Sequence, residues 1–226
     1  WQQQTAPTLK ALQPGFHPKQ LIVGLSEDLL AHYTGQPLTD EYAVYQHLMD
    51  YWATTMQDDA YLIAADGWKA ETYRVIEVKK NKDGKVTKTV YTGWDCDLLP
   101  KALIGARYFA KDQAAIDELT TRLDSATAQL SELEEEHGDD DAAFSGFDKI
   151  NKASVSDRLR EIKGDADAQE EAEVLNRWLT LAKEEADLKK SLKDAEAVLD
   201  TKAYAHYPQL SEADIKVLVV DDKWLA

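Results

Sequence analysis

Cysteine is almost absent. Cys96 stands alone, which excludes an internal disulfide and a zinc site built from several thiolates. No uninterrupted apolar run approaches the roughly 20 residues of a membrane span, and no signal-peptide pattern opens the chain. Bases are scarce: 26 Lys and Arg stand against 42 Asp and Glu, a net charge of −16. That balance does not resemble a protein that grips nucleic acid by phosphate neutralisation alone, which calls for clustered Lys and Arg. Neither a Gly-x-Gly-x-x-Gly turn nor a Gly-Lys-Ser/Thr phosphate loop occurs. What is present is a chain of 226 residues, 44% hydrophobic, with material for one domain or two small ones. A reducing, cytoplasmic setting is expected. The chain starts at Trp1 and stops just after the apolar pair Trp224-Leu225. That end reads as an unfinished hydrophobic turn, so a fragment of a longer protein is expected.

The acidity is local. Residues 1–110 carry 11 bases and 13 acids, whereas residues 111–226 carry 15 bases and 29 acids, net −14. The first part holds Gly24, Gly35, Trp52, Trp68 and Trp94, residues of a compact fold. The second is rich in Ala, Glu, Leu, Lys and Asp, the composition of long helices.

Residues 1–16 contain Pro7, Pro14 and Gly15 without sustained periodicity and read as linker. Pro18 suits a first helical turn, and Leu21, Ile22, Leu25, Leu29 and Leu30 follow at helical spacing until Gly35 and Pro37. A second helix starts at Thr39 or Asp40 as N-cap, with Val44, Tyr45, Leu48, Met49, Trp52 and Met56 on one face. The apolar run 61–64 reads as a short strand. Residues 72–79 and 86–91 are rich in β-branched side chains and flank Asn81-Lys-Asp-Gly84, a hairpin signal because Asp-Gly tolerates the positive φ of a tight turn. Residues 103–109 return to helix, so residues 17–109 make a small α+β module.

Heptads then take over. Phe109, Ile116, Leu123 and Leu130 lie seven apart, with Leu119, Ala126 and Leu133 at the alternate positions. His137 is next, and Gly138 with Asp139-Asp-Asp141 ends the helix. Val174, Trp178, Leu181, Leu188, Leu192, Ala195 and Leu199 form a second series in which Glu185 is the misfit. Two such stretches predict an antiparallel coiled-coil hairpin over residues 110–200, its tip at about 138–166 carrying Phe144, Phe147, Ile150, Val155, Leu159 and Ile162. Residues 201–226 read as the start of a further, truncated helical segment. The fold class expected is therefore α+β, mainly helical.

Catalytic patterns are thin. Asp66 with Glu77-Val-Lys79 has the form in which metal-dependent nucleases hold Mg²⁺ with two carboxylates and steady a water with lysine. The adjoining basic run, residues 79–82, is better explained as a solvated hairpin tip. His17, His32, His47, His137 and His206 are scattered, without ligand spacing. Asp95 and Asp97 flank Cys96 and disfavour its thiolate, so a buried structural cysteine is expected. Asp139-Asp-Asp141 and Asp221-Asp222 lack the spacing of a calcium loop and read as a helix stop and a solvated turn.

Three stretches carry a resemblance: Tyr42-Ala-Val-Tyr-Gln-His-Leu-Met-Asp-Tyr-Trp52, continuing in Met56-Gln-Asp-Asp-Ala-Tyr-Leu-Ile63 and Asp66-Gly-Trp68; Tyr204-Ala-His-Tyr-Pro-Gln-Leu210; and Leu218-Val-Val-Asp-Asp-Lys-Trp-Leu225. Together they resemble the C-terminal region of the methylation (M) subunits of type I restriction–modification systems, DNA adenine-N6 methyltransferases. The likeness spans nearly the whole chain. It implies a parent enzyme that uses S-adenosylmethionine. The family's catalytic Asn-Pro-Pro-Phe/Tyr loop is missing from this sequence, so no catalytic, cofactor-binding or metal residue is carried over and the catalytic domain is expected upstream of Trp1. The resemblance implies an assembly role: docking on the specificity subunit, alongside the restriction subunit, with DNA reached through the assembled complex. Leu119, Leu123, Leu130, Trp178, Leu188 and Leu192 are then the partner-docking candidates. An acidic DNA mimic or regulator is the alternative, and the nuclease built on Asp66, Glu77 and Lys79 the third reading.

Overall fold

The computed structural model describes residues 1–36, 40–80, 82, 84–139, 142–165 and 167–226. It is a mainly helical α+β protein of two compact units. Unit 1 joins Trp1–Phe109 to Asp200–Ala226, and unit 2 is Ala110–Leu199.

Unit 1 opens with α1 (Gln2–Lys10), where a linker is expected from the sequence. Pro7 inside the helix and the run of three glutamines hide its periodicity. Tertiary packing overrides that weak propensity: Leu9 is fully buried and Lys10 pairs with Asp221 at 2.6 Å. Residues 12–15 are held as well. Trp68 Nε1 donates to the Leu12 carbonyl at 2.8 Å, and the Gly15 amide donates to Ala64 at 2.8 Å.

Helix α2 (Pro18–Tyr33) starts on proline at its first position, as the sequence predicts. In α3 (Glu41–Tyr51) the Asp40 carboxylate caps the amides of Tyr42 and Ala43; Thr39, the other cap expected, and Pro37 lie outside the described residues. A π-helical turn, Trp52–Met56, leads from α3 into α4 (Gln57–Asp66) and turns both Trp52 and Met56 inward. The strand expected at 61–64 is thus the second half of a helix. Short apolar runs do not separate strand from buried helix by periodicity, and here Ala60 and Ile63 form a buried helical stripe. Gly67 closes α4 with φ of 79°, and a Cβ there would come 3.1 Å from Pro14, so both backbone and space favour glycine.

Strands β1 (Tyr73–Lys80) and β2 (Val86–Asp95) pair antiparallel, with Ile76 opposite Tyr91 and Lys79 opposite Lys88. The register shifts between Val75, opposite Gly93, and Ile76, so that Thr92 is the extra residue of a bulge. Asn81 and Asp83 of the expected turn lie outside the described residues. Helix α5 (Lys101–Tyr108) buries Ile104.

The C-terminal residues pack into this unit. Helix α9 (Glu212–Val219) is capped by Ser211 and runs into a second π-helical turn, Val220–Trp224. Leu218, Val219, Val220 and Trp224 join Leu9, Trp52, Met56, Ile63, Trp68, Trp94 and Leu99 in one core. Tyr207 donates to the Leu99 carbonyl at 2.6 Å, and burial pushes its phenol well above its ordinary range.

Unit 2 is built from α6 (Ala110–Glu136), α7 (Lys152–Glu161) and the part of α8 (Gln169–His206) up to Leu199. Arg122 meets Glu184 and Glu134 meets Trp178, so residue numbers fall along α8 as they rise along α6. The pair is antiparallel. At its far end Phe144, Val155 and Ile162 pack with Leu130, Leu133, Leu175 and Trp178. Asn151 starts α7 with a reciprocal cap, accepting from the amides of Ala153 and Ser154. Asn151→Ala is expected to cost unit 2 about 1 kcal/mol, read as a lower urea midpoint.

Candidate functional site

The six docking candidates from the sequence all lie on the two helices of the arm, and most face the seam between them. Trp178, Leu130 and Leu188 are buried, while Leu119, Leu123 and Leu192 are half-buried. Their first effect is to hold α6 against α8. Leu119 and Leu188 also line an open groove of about 430 Å³, shared with Arg122, Thr180, Lys183, Glu184, Asp187 and Ser191. That groove is where the seam's apolar edge meets solvent.

Glu185, the heptad misfit, has a role that periodicity does not show. Its carboxylate accepts from Thr127 Oγ1 across the seam at 3.2 Å and from Lys189 at 2.9 Å. The Lys189 bond, with help from Thr127, holds its carboxyl below the usual range. A polar group in an apolar seam fixes register, because sliding the helices would leave it unmatched. Trp178 adds a second lock, its Nε1 donating to Glu134 at 2.7 Å.

Electrostatically the arm is one-sided. Ala110–Leu199 carries 24 acids and 12 bases, net −12. Several of the bases are already committed: Arg158 forks onto both carboxylate oxygens of Glu171 at 2.6 and 3.1 Å, and Arg160 pairs with Asp157 at 2.6 Å. Exposed acids such as Glu118, Asp124, Glu132, Asp187 and Asp194 leave both long helices negative toward solvent. The arrangement suits docking on a basic surface.

The nuclease trio is not assembled. Asp66 ends α4 and lines a cleft of about 290 Å³ with Lys69, Glu71, Tyr73, Cys96 and Asp97. Glu77 and Lys79 lie four and six residues beyond Tyr73 on β1, about 13 and 20 Å along the strand at ~3.3 Å per residue. Neither lines that cleft. Among the described residues no group of three or more His, Cys, Asp or Glu is placed to hold a metal ion. Nor do the residues of the cleft fit S-adenosylmethionine: three carboxylates line it and no glycine-rich turn onto a helix N-terminus faces it. Cys96 is buried and free, and burial, reinforced by Asp97 and Asp95, pushes its thiol up and away from thiolate chemistry.

One polar cluster escaped the sequence reading. Asp59, nearly inaccessible at 4% exposure, accepts from Lys223 and from Trp224 Nε1 and so clasps the C-terminal turn to α4. Asp221 and Asp222, expected as a solvated turn, pair instead with Lys10 and Arg107. The only signal in the sequence was an acid beside the apolar stripe of α4 and a lysine beside Trp224, too common a pattern to single out. Among the described residues no helix is long and apolar enough to cross a membrane. Compared with known proteins, the chain matches no family model, no curated sequence and no solved structure.

Proposed function

We propose that this chain is the C-terminal part of the methylation subunit of a type I restriction–modification enzyme, and that the arm Ala110–Leu199 docks on the specificity subunit. The observation that supports this reading is that the arm closes its own core and leaves a polar, strongly acidic exterior. A stiff helical hairpin offers a partner helix a surface whose register is set by side-chain ridges. Its charge repels DNA while drawing in a basic DNA-reading partner. S-adenosylmethionine chemistry, the restriction subunit and a cytoplasmic setting belong to the parent assembly. A second reading draws on the same net −12: an acidic arm that occupies a basic groove in place of DNA.

Co-purification of the parent subunit with its specificity subunit separates the two. Replacing residues 110–199 by a short Gly/Ser linker is expected to abolish assembly and to leave unit 1 folded. Assembly that survives the replacement removes the docking role. Binding of the arm to unrelated basic DNA-binding proteins, competed by DNA, favours the mimic.

A further inference from the structure

In this acidic chain one segment has the opposite sign. From Arg74 to Tyr91 the hairpin carries six bases (Arg74, Lys79, Lys80, Lys82, Lys85 and Lys88) against Glu77 and Asp83, a local charge of +4 in a chain of −16. Apart from Trp94, which joins the core, and the half-buried Val90 and Gly93, the described side chains of the ribbon formed by β1 and β2 are exposed on both faces. Ile76, Val78 and Tyr91 on one side are 48–58% exposed, and Tyr73 and Val75 on the other are 37–45% exposed. Lys79 lies directly opposite Lys88 on one face. Arg74 sits over the Tyr91 ring at 5.9 Å, which holds a cation on the other face.

We propose that the β1–β2 ribbon is a contact surface for duplex DNA, its lysines taking backbone phosphates while the two strands lie along the major groove. A two-stranded ribbon fits the ~12 Å major groove of B-form DNA, whereas the deep, narrow major groove of A-form RNA does not admit it. The eight residues of β1 span about 26 Å at ~3.3 Å per residue, enough to follow the groove past several phosphates. The acidic remainder of the chain repels DNA and so favours approach along this ribbon. Lysines on a two-stranded ribbon also discourage pairing with stray strands. Charge reversal to Glu preserves that second role and removes the first. The inference rests on the ribbon's charge and exposure, not on the arm or its partner.

The test is fluorescence anisotropy of a labelled duplex of about 25 base pairs with the whole chain, titrated from ~25 to ~150 mM salt. Binding is expected at low salt, with log K falling linearly against log salt at roughly −0.9 per phosphate neutralised. Lys82→Glu with Lys88→Glu is expected to weaken low-salt binding by about tenfold or more and to flatten the slope by about two. The melting curve is expected to stay unchanged, and the pair Lys82→Gln and Lys88→Gln gives a smaller step in the same direction. No binding by the unaltered chain at low salt overturns the proposal. So does an unchanged slope in the reversed variant, or tighter binding to single strands or duplex RNA. Run beside the co-purification experiment, the two readings separate. Ribbon reversal that spares assembly reports on DNA contact, and arm removal that spares DNA binding reports on docking.

Discussion

Asp59→Ala is expected to remove about 3–5 kcal/mol from unit 1, because it strands a largely buried ammonium. In the native chain Lys223 Nζ lies 2.8 and 2.7 Å from the two Asp59 oxygens and 3.1 Å from the Leu98 carbonyl, and Trp224 Nε1 completes the carboxylate at 2.9 Å. Burial holds the Asp59 carboxyl above its ordinary value, although the bonds from Lys223 and Trp224 pull it down. The sign of the pH effect follows. A native state that binds this proton more tightly than the unfolded chain gains stability at low pH, and the gain is lost as pH rises through the folded value. Asp59→Ala should abolish that dependence along with the pair. Lys223→Met in the same background is expected to recover part of the loss, since the lone charge, more than the missing bond, carries the cost. Urea unfolding followed by tryptophan fluorescence reads both, with Trp224 packed 6.2 Å from Trp68 as the reporter. A loss below about 1 kcal/mol, the range of an exposed pair, would mean that the clasp does not hold the C-terminal turn.

This clasp marks where sequence reasoning ran out. Periodicity exposes a helix whose buried face repeats, so α2, α3 and the two arm helices were legible from Leu, Ile and Trp spacings alone, and the β-branched runs gave the hairpin. It does not expose a helix whose buried face is one residue wide. α1 buries Leu9 and little else of its apolar content, and its order comes from Trp68, Asp221 and α4, residues that only folding brings near. The same reasoning explains the C-terminal end. Trp224 meets Asp59 and Trp68 within unit 1, contacts that its place in the sequence does not show. Of the docking candidates, sequence spacing placed the seam but not its division between buried and half-buried positions. That division depends on how the helices face each other, and no single-helix pattern records it.

The seam gives the second large expected effect. The heptad series assigned Val174 to the buried position, whereas the structure buries Leu175 fully and leaves Val174 half-exposed to the side. The reason is local. Near the tip the partners of α8 are α7 and the residues after α6, with Val155, Phe144 and Ile162 in the same cluster. A third element there widens the buried face beyond a two-helix seam, and Leu175 falls on the added part. Leu175→Ala is therefore expected to cost unit 2 about 2–5 kcal/mol, the upper end applying if the rigid ends of α6 and α8 keep the cavity open. Val174→Ala is expected to cost on the order of 1 kcal/mol, the value of partly buried methyl groups. Thermal or urea unfolding of the two variants side by side checks the register of the arm, since a one-residue rotation of α8 would invert their order. Leu188→Ala, farther along the same helix at a position where spacing and structure agree, should fall with Leu175→Ala rather than with Val174→Ala. If instead Val174→Ala proves the more damaging, the tip packs as a plain two-helix continuation of the seam, and the cap formed by Val155 and Phe144 does not hold it.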